Sequence, residues 1–194
     1  MRIISGSMRG TKLFTLEGLN TRPTLDRVKE SLFNILNFDL QNAIVLDLFS
    51  GSGALGLEAL SRGAQKAVLC DYSNKAINII KKNVEKTKTE NKTIVLHMEY
   101  QKTLEELKAK NMKFNIIFLD PPYETDFAED AAEKIVEFGL LEKDGIIVLE
   151  TDNKEKILQN IKNELLNLYD TRKYGRVSLL FFNERGKGWK SIQL

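Results

Sequence analysis

The chain has 194 residues, a formal net charge of +2, 42% apolar and 29% charged residues, proportions that suit a folded globular protein and exclude fibrous or disordered classes. No run approaches the roughly 18 apolar residues of a membrane span, and the N-terminal segment has no signal-peptide core, so a cytoplasmic protein without a membrane partner is expected. A single cysteine, Cys70, and a single histidine, His97, exclude a disulfide framework and the usual zinc constellations, so no metal is expected.

Residues 1–23 hold Gly6, Gly10, Gly18 and Pro23 around short β-prone runs, Arg2-Ile3-Ile4 and Lys12-Leu13-Phe14, a pattern for a small hairpin or arm. Thr24 is the expected N-cap of a helix over 25–37. Its apolar face is Val28, Leu32, Phe33, Ile35 and Leu36, and its polar face carries Arg27 and Lys29. From residue 43, apolar runs alternate with amphipathic stretches. Strands are expected at Ile44–Leu48, Ala67–Asp71, Thr93–His97, Phe114–Leu119 and Gly145–Glu150. Helices are expected at 54–62, 74–86, 101–110, 126–138 and 154–166. Such alternation predicts parallel strands with right-handed crossovers, a doubly wound α/β sheet. Two last strand-like runs, Leu168–Tyr174 and Val177–Asn183, meet near Gly175 and read as an antiparallel hairpin. Cys70 and His97 read as a core residue and a strand-end residue. Both ends of the chain are basic. Arg2, Arg9 and Lys12 stand near the start, and six cations against Glu184 alone occupy 171–190, a distribution suited to a polyanion or to solvated basic segments.

The first chemical signal lies where the first strand turns into a helix, Asp47-Leu48-Phe49-Ser50-Gly51-Ser52-Gly53-Ala54-Leu55-Gly56. Gly51 and Gly53 permit a tight turn and close ligand approach, and Gly56 permits close helix–sheet packing. The G-x-G-x-x-G by itself suits a nicotinamide dinucleotide. Asp47, however, would face a cationic group well and a pyrophosphate badly. Asp71 ends the next strand where a ribose-binding acid belongs. Tyr72 beside it could lie against an adenine, and Glu99, after the third strand, could accept from an adenine amino group. An adenosine with a cationic tail and no phosphate is S-adenosylmethionine, whose sulfonium needs neither metal nor protein nucleophile.

The second signal is Asp120-Pro121-Pro122-Tyr123, which follows the buried-strand run Phe114–Leu119. Two prolines cannot continue a parallel strand. The Asp120 carboxylate and the following carbonyls are therefore held stiffly at the strand's C-terminal edge, where open α/β sheets place ligands. Acid and carbonyl can accept from the two N–H bonds of an amino group on a flat base, with Tyr123 stacked on its ring. The alternative is a proline turn with Tyr123 packed over the core.

Asp47-x-Phe49-x-Gly51-x-Gly53 resembles the cofactor motif of class I S-adenosylmethionine-dependent methyltransferases, and Asp120-Pro121-Pro122-Tyr123 resembles the catalytic motif of their amino-methylating members. Arg2-Ile3-Ile4-Ser5-Gly6, Arg9-Gly10, Thr21-Arg22-Pro23-Thr24, Asp26-Arg27-Val28 and Tyr174-Gly175 are similar to the RsmD family over essentially the whole chain. Asp71, where Glu is expected, Glu99, where Asp is expected, and Leu25, where a small polar residue is expected, depart from that pattern. The resemblance implies a methyltransferase domain over 24–194 preceded by an RNA-contacting arm over 1–23. It further implies methylation of the N2 amine of a guanine in 16S ribosomal RNA, within a small subunit or its assembly intermediate. Asp47, Phe49, Gly51, Gly53, Asp71, Tyr72 and Glu99 would hold the cofactor. Asp120, Pro121, Pro122 and Tyr123 would act on a flipped or unpaired base, and Arg9, Lys12, Arg22 and Arg27 would contact phosphates. Competing readings are an amino-methylase acting on adenine in DNA or on another RNA, and a non-catalytic or NAD-binding module.

Overall fold

In the computed structural model, which describes residues 1–16, 23–122 and 125–185, every expected strand and helix from residue 23 onward is present. The order is α1 (Pro23–Ile35), β1 (Ile44–Asp47), α2 (Ala54–Ser61), β2 (Lys66–Asp71), α3 (Asn74–Thr87), β3 (Thr93–His97) and α4 (Tyr100–Ala109), then β4 (Phe114–Leu119), α5 (Phe127–Glu137), β5 (Leu141–Thr151), α6 (Lys154–Asn160), β6 (Leu166–Tyr174) and β7 (Val177–Glu184). The chain divides into two compact units, Met1–Thr103 and Leu104–Leu194.

In the first unit β2 runs parallel to both β1 and β3, in the registers Val45↔Ala67 and Leu69↔Val95. Helices α2 and α3 cross over between these strands. Val45, Leu46, Ala67, Val68 and Leu69 are fully buried, as continuous apolar runs in a parallel sheet require. In the second unit β4 and β5 are parallel, and β7 lies antiparallel to both β5 and β6. The β6–β7 turn passes through Gly175 at φ 63. These elements are the mostly parallel, doubly wound α/β class with a C-terminal antiparallel hairpin.

The N-terminal residues form a small hairpin around the antiparallel bridge Arg2↔Lys12, with Ile3 N–H donating to the Thr11 carbonyl at 3.0 Å. Helix α1 starts at Pro23, so Thr24 lies inside its first turn instead of capping it. Proline favours the first helical position because its missing N–H would have no intrahelical acceptor there. Lys29 is the clearest departure from the expected polar face. It is only 5% exposed, because its position one turn before Phe33 belongs to the buried stripe with Val28, Leu32 and Leu36. Its ammonium pairs with Glu58 at 3.2 Å and donates to the Arg2 carbonyl at 2.5 Å.

Two further boundaries differ from the sequence pattern. Strand β5 begins at Leu141 and passes through Asp144 (φ 63) and Gly145, with the β4 register shifting between Phe114 and Ile116. Residues with turn chemistry here make a bulge within a strand. Helix α6 opens on Asn153, whose side chain accepts from the Lys156 N–H, and stops at Asn160. Beyond it, the N–H groups of Lys162 and Asn163 donate to Glu133 Oε1 at 2.6 and 3.0 Å.

Candidate functional site

The glycine loop stands at the C-terminal end of β1, and side chains on three neighbouring elements hold it. Gly51 (φ 54) and Gly53 (φ 77) both take the left-handed conformation that glycine adopts without steric cost. A Cβ built on Gly51 would meet nothing within 4 Å, whereas one on Gly56 would lie 2.2 Å from Leu69 Cδ2. Gly51 is thus open to a ligand, and Gly56 lets α2 sit directly on β2.

Asp47 is 2% exposed; its Oδ2 accepts the Gly56 N–H at 3.2 Å, at the start of α2. Burial pushes its carboxyl up to about 7; the Gly56 N–H pulls it down and the charge of Asp71 adds to the rise. Asp71 stitches the loop to β2. Its Oδ2 accepts the Gly51 N–H at 2.9 Å, and its Oδ1 accepts the Ser73 N–H at 2.8 Å. Each oxygen keeps a further lone pair for a hydroxyl. Phe49 is half-buried, its ring 5.4 Å from that of Tyr100. Tyr72 is 68% exposed, and His97 Nε2 lies 3.0 Å from its carbonyl, tying the ends of β2 and β3. Glu99 has an exposed side chain, while its carbonyl accepts the Thr103 N–H at 2.9 Å. Cys70 is buried, 2.9 Å from Thr103 Oγ1, and burial raises its thiol to about 11, so it packs in the core as an inert thiol.

The chemistry of this donor set can be tested against the expected cofactor. Among the described residues neither Asp47 nor Asp71 has a Lys or Arg partner; both accept from backbone N–H groups, and Ser50 Oγ donates to the Asp47 carbonyl at 2.6 Å. Two acids without a basic partner beneath an open glycine turn, Asp47 among them ready to ionise against a positive charge, fit a cationic nucleoside better than a pyrophosphate.

In the second unit, Asp120 is the first residue beyond the last β4–β5 pair, Leu119↔Leu149, and it is exposed. Pro121 is buried and Pro122 exposed. The Pro122 carbonyl accepts from Thr125 Oγ1 at 2.8 Å and from its N–H at 3.3 Å. Tyr123 and Arg22 lie outside the described residues.

Arg9, Lys12 and Arg27 are exposed. Arg9 and Arg27 line one cleft of about 380 Å³ together with Arg2 and Glu30, and Lys12 is not part of it.

Two residues that hold this unit together were not read from the sequence. Glu58, fully buried on α2, accepts from the N–H groups of Ile4 (2.8 Å) and Ser5 (3.0 Å) and pairs with Lys29 and Arg62. Asn83, fully buried on α3, bonds both the loop and the N-terminal hairpin segment. A lone Glu within the otherwise apolar Ala54–Leu60 was the available signal for Glu58. Asn83 offered none.

The chain matches a family model described as conserved hypothetical protein 95 over residues 1–183. It is 36% identical to a putative ribosomal RNA methyltransferase, YlbH, of Bacillus subtilis, over 96% of this chain and all of that one. It is 37% identical to ribosomal RNA small subunit methyltransferase D of Haemophilus influenzae, over 81% of this chain and 82% of that one. A solved structure, the putative methyltransferase yhhF of Escherichia coli, superposes with a TM-score of 0.81 at 33% identity, covering 95% of this chain and 97% of that one.

Proposed function

Because the chain belongs to the conserved hypothetical protein 95 family, the RsmD family of ribosomal RNA methyltransferases, we propose that it methylates the exocyclic N2 amine of a guanine in small-subunit (16S) ribosomal RNA, using S-adenosylmethionine. The observation that carries the chemistry is Asp120, exposed immediately past the last paired residue of β4 and followed by two prolines. Guanine as the target is supported by the N-terminal pattern Arg2–Gly6 and Thr21–Thr24, not by the acid-proline tetrapeptide, which suits several amino-bearing bases.

S-adenosylmethionine, when bound, would supply an electrophilic methyl on a cationic sulfur, the methyl–sulfur bond breaking to leave the neutral thioether S-adenosylhomocysteine. Asp71 would accept from the ribose hydroxyls with the lone pairs left after Gly51 and Ser73, Tyr72 and Glu99 would meet the adenine, and Asp47 with Phe49, Gly51 and Gly53 would line the rest. Asp120 and the Pro121 carbonyl would accept the two N–H bonds of the target amine. Its lone pair, otherwise delocalised into the ring, would become available for attack, and the ionised Asp120 would take the released proton or pass it to water. The prolines fix the acceptors in advance, so alignment costs little when the base arrives. Tyr123 would set the plane of the base. An amine inside a helix cannot be presented this way, so the nucleotide is flipped out or unpaired. Residues 1–23 would be an RNA-contacting arm on a methyltransferase domain spanning 24–194, with Arg9, Lys12, Arg22 and Arg27 on phosphates. The enzyme would act in the cytoplasm on a small subunit or its assembly intermediate, without a metal.

The test is methyl transfer from labelled S-adenosylmethionine to small subunits, to their RNA and to duplex DNA, the first two taken from cells lacking the enzyme. Nucleoside analysis should return N2-methylguanosine from subunits or RNA. N6-methyladenine in DNA would keep the Asp120 chemistry and overturn the substrate.

A further inference from the structure

The cleft between the N-terminal hairpin and α1 carries chemistry that the glycine loop and the acid-proline segment leave unused. It has a volume of about 380 Å³ and is lined by Arg2, Arg9, Arg27 and Glu30 over Ile3 and Ile4, within the size range of single-ligand sites. Among the described residues the lining holds three arginines and one glutamate, a balance that attracts anions. Ile3 is fully buried beneath it. Gly10 forms part of the rim at φ 85, and a Cβ there would meet nothing within 4 Å. No side chain at that position stands between the hairpin backbone and an incoming strand.

The walls are built, not loose. Gly10 N–H donates to the Ile3 carbonyl at 2.9 Å, and Lys29 Nζ fixes the Arg2 carbonyl at 2.5 Å. Glu58 holds the N–H groups of Ile4 and Ser5 at 2.8 and 3.0 Å. The next turn is locked by close packing, since a Cβ on Gly6 would lie 1.8 Å from the Ser61 carbonyl oxygen. Lys29 and Arg62 both pair with Glu58 beneath the surface, and the cleft's lining adds its own arginines to the positive side.

We propose that this cleft is a ribose-phosphate subsite for the RNA strand, in which Arg2, Arg9 and Arg27 hold phosphate and Glu30 accepts the ribose 2′-hydroxyl. The inference rests on the ribosomal RNA reading and sharpens it. A site for phosphate alone has no use for a carboxylate, which repels the ligand. A site for a ribonucleotide does, because the 2′-hydroxyl is a donor that a carboxylate accepts and that DNA lacks. The exposed Arg9, Arg27 and Glu30 come from two separate chain segments, so the constellation exists only once the hairpin is docked against α1.

The experiment uses the full chain, a fluorescent single-stranded RNA oligonucleotide and its deoxy counterpart, with binding followed by anisotropy over a range of salt. Arg9→Ala with Arg27→Ala should weaken RNA binding about tenfold or more and flatten the salt slope by roughly 0.7 for each phosphate that is no longer neutralised. Affinity for S-adenosylhomocysteine and the melting temperature should stay unchanged, which separates the effect from unfolding. Glu30→Ala should tighten DNA binding more than RNA binding and so narrow the preference for RNA. Unchanged RNA affinity and slope in the double variant would overturn the subsite, and equal shifts for RNA and DNA in Glu30→Ala would overturn the 2′-hydroxyl contact. A wild type that methylates ribosomal RNA while the double variant binds normally would sink this inference and leave the proposed function standing. A wild type that binds no RNA oligonucleotide yet methylates small subunits or their RNA would sink this inference alone, and one that also leaves both unmethylated would sink the proposed function with it.

Discussion

The side-chain amide of Asn83 donates to the Ser52 carbonyl, at the centre of the glycine loop, at 2.9 Å. The same side chain pairs with Phe14 in both directions: Nδ2 donates to its carbonyl at 2.9 Å, and Oδ1 accepts its N–H at 2.8 Å. One buried amide on α3 therefore fixes the glycine loop and the end of the N-terminal hairpin segment together. A loop with two left-handed glycines has little rigidity of its own, so an external clamp sets its shape. Asn83→Ala leaves buried backbone groups without partners, at about 1–3 kcal/mol each. It is expected to lower the melting temperature, to speed proteolysis near residue 14 and to weaken S-adenosylhomocysteine binding in calorimetry. An unchanged dissociation constant would show that the loop keeps its shape unaided.

Glu58 anchors the opposite side of the hairpin. Its partners Lys29 and Arg62 have side chains only 5% and 7% exposed. Glu58→Gln removes the countercharge of both and should cost about 3–5 kcal/mol of stability, the usual penalty for stranding a buried ion. Denaturant unfolding measures it. A loss below about 1 kcal/mol would mean that water reaches the two cations in the variant, as for an ordinary exposed pair.

Local pattern carried the strands, the glycine loop and the acid-proline turn, because each depends on residues adjacent in sequence. Gly56 is an example, since its place in the G-x-G-x-x-G foretold close helix–sheet packing, and Leu69 on β2 is the neighbour a Cβ there would strike. The arm's anchorage was illegible for the opposite reason. Asn83 meets Phe14 across 69 positions and Glu58 meets Ile4 across 54, and no period or spacing encodes a polar contact at that range. Lys29 was misplaced because a lysine is assigned to solvent by default, whereas its helical position is a core position and Glu58 supplies the partner that burial demands. The early start of β5 was hidden because Asp144-Gly145 has turn chemistry wherever it occurs, bulge or turn.

Asp47 should make both stability and cofactor binding depend on pH. Its carboxyl lies at about 7 in the folded chain against an ordinary 3.8, so the native state holds this proton more tightly than the unfolded state. Its contribution to stability is therefore fully present below pH 3.8, falls as pH rises from there through about 7 and is flat above. The difference between wild type and Asp47→Asn, taken across that window by denaturant unfolding, isolates this group from the other carboxylates. A cationic cofactor selects the ionised form, so binding at pH 6 should release a proton. Calorimetry in buffers of different ionisation enthalpy detects it. Equal proton release by the wild type and Asp47→Asn would remove Asp47 from the cationic contact.

Asp120 separates binding from chemistry most cleanly. It is exposed at the end of β4, so the folded state and the melting temperature should survive its substitution. Asp120→Ala should therefore leave S-adenosylhomocysteine affinity nearly intact while lowering methyl transfer by about 10²–10⁴, the range for a group that accepts a proton in the reacting complex. Asp120→Asn, which retains an acceptor oxygen but no negative charge, should fall between the two. That ordering distinguishes a carboxylate that takes up the proton from one that only aligns the amine, for which Asn would serve almost as well as Asp. Turnover by Asp120→Ala near the wild-type rate would move the chemistry to another residue.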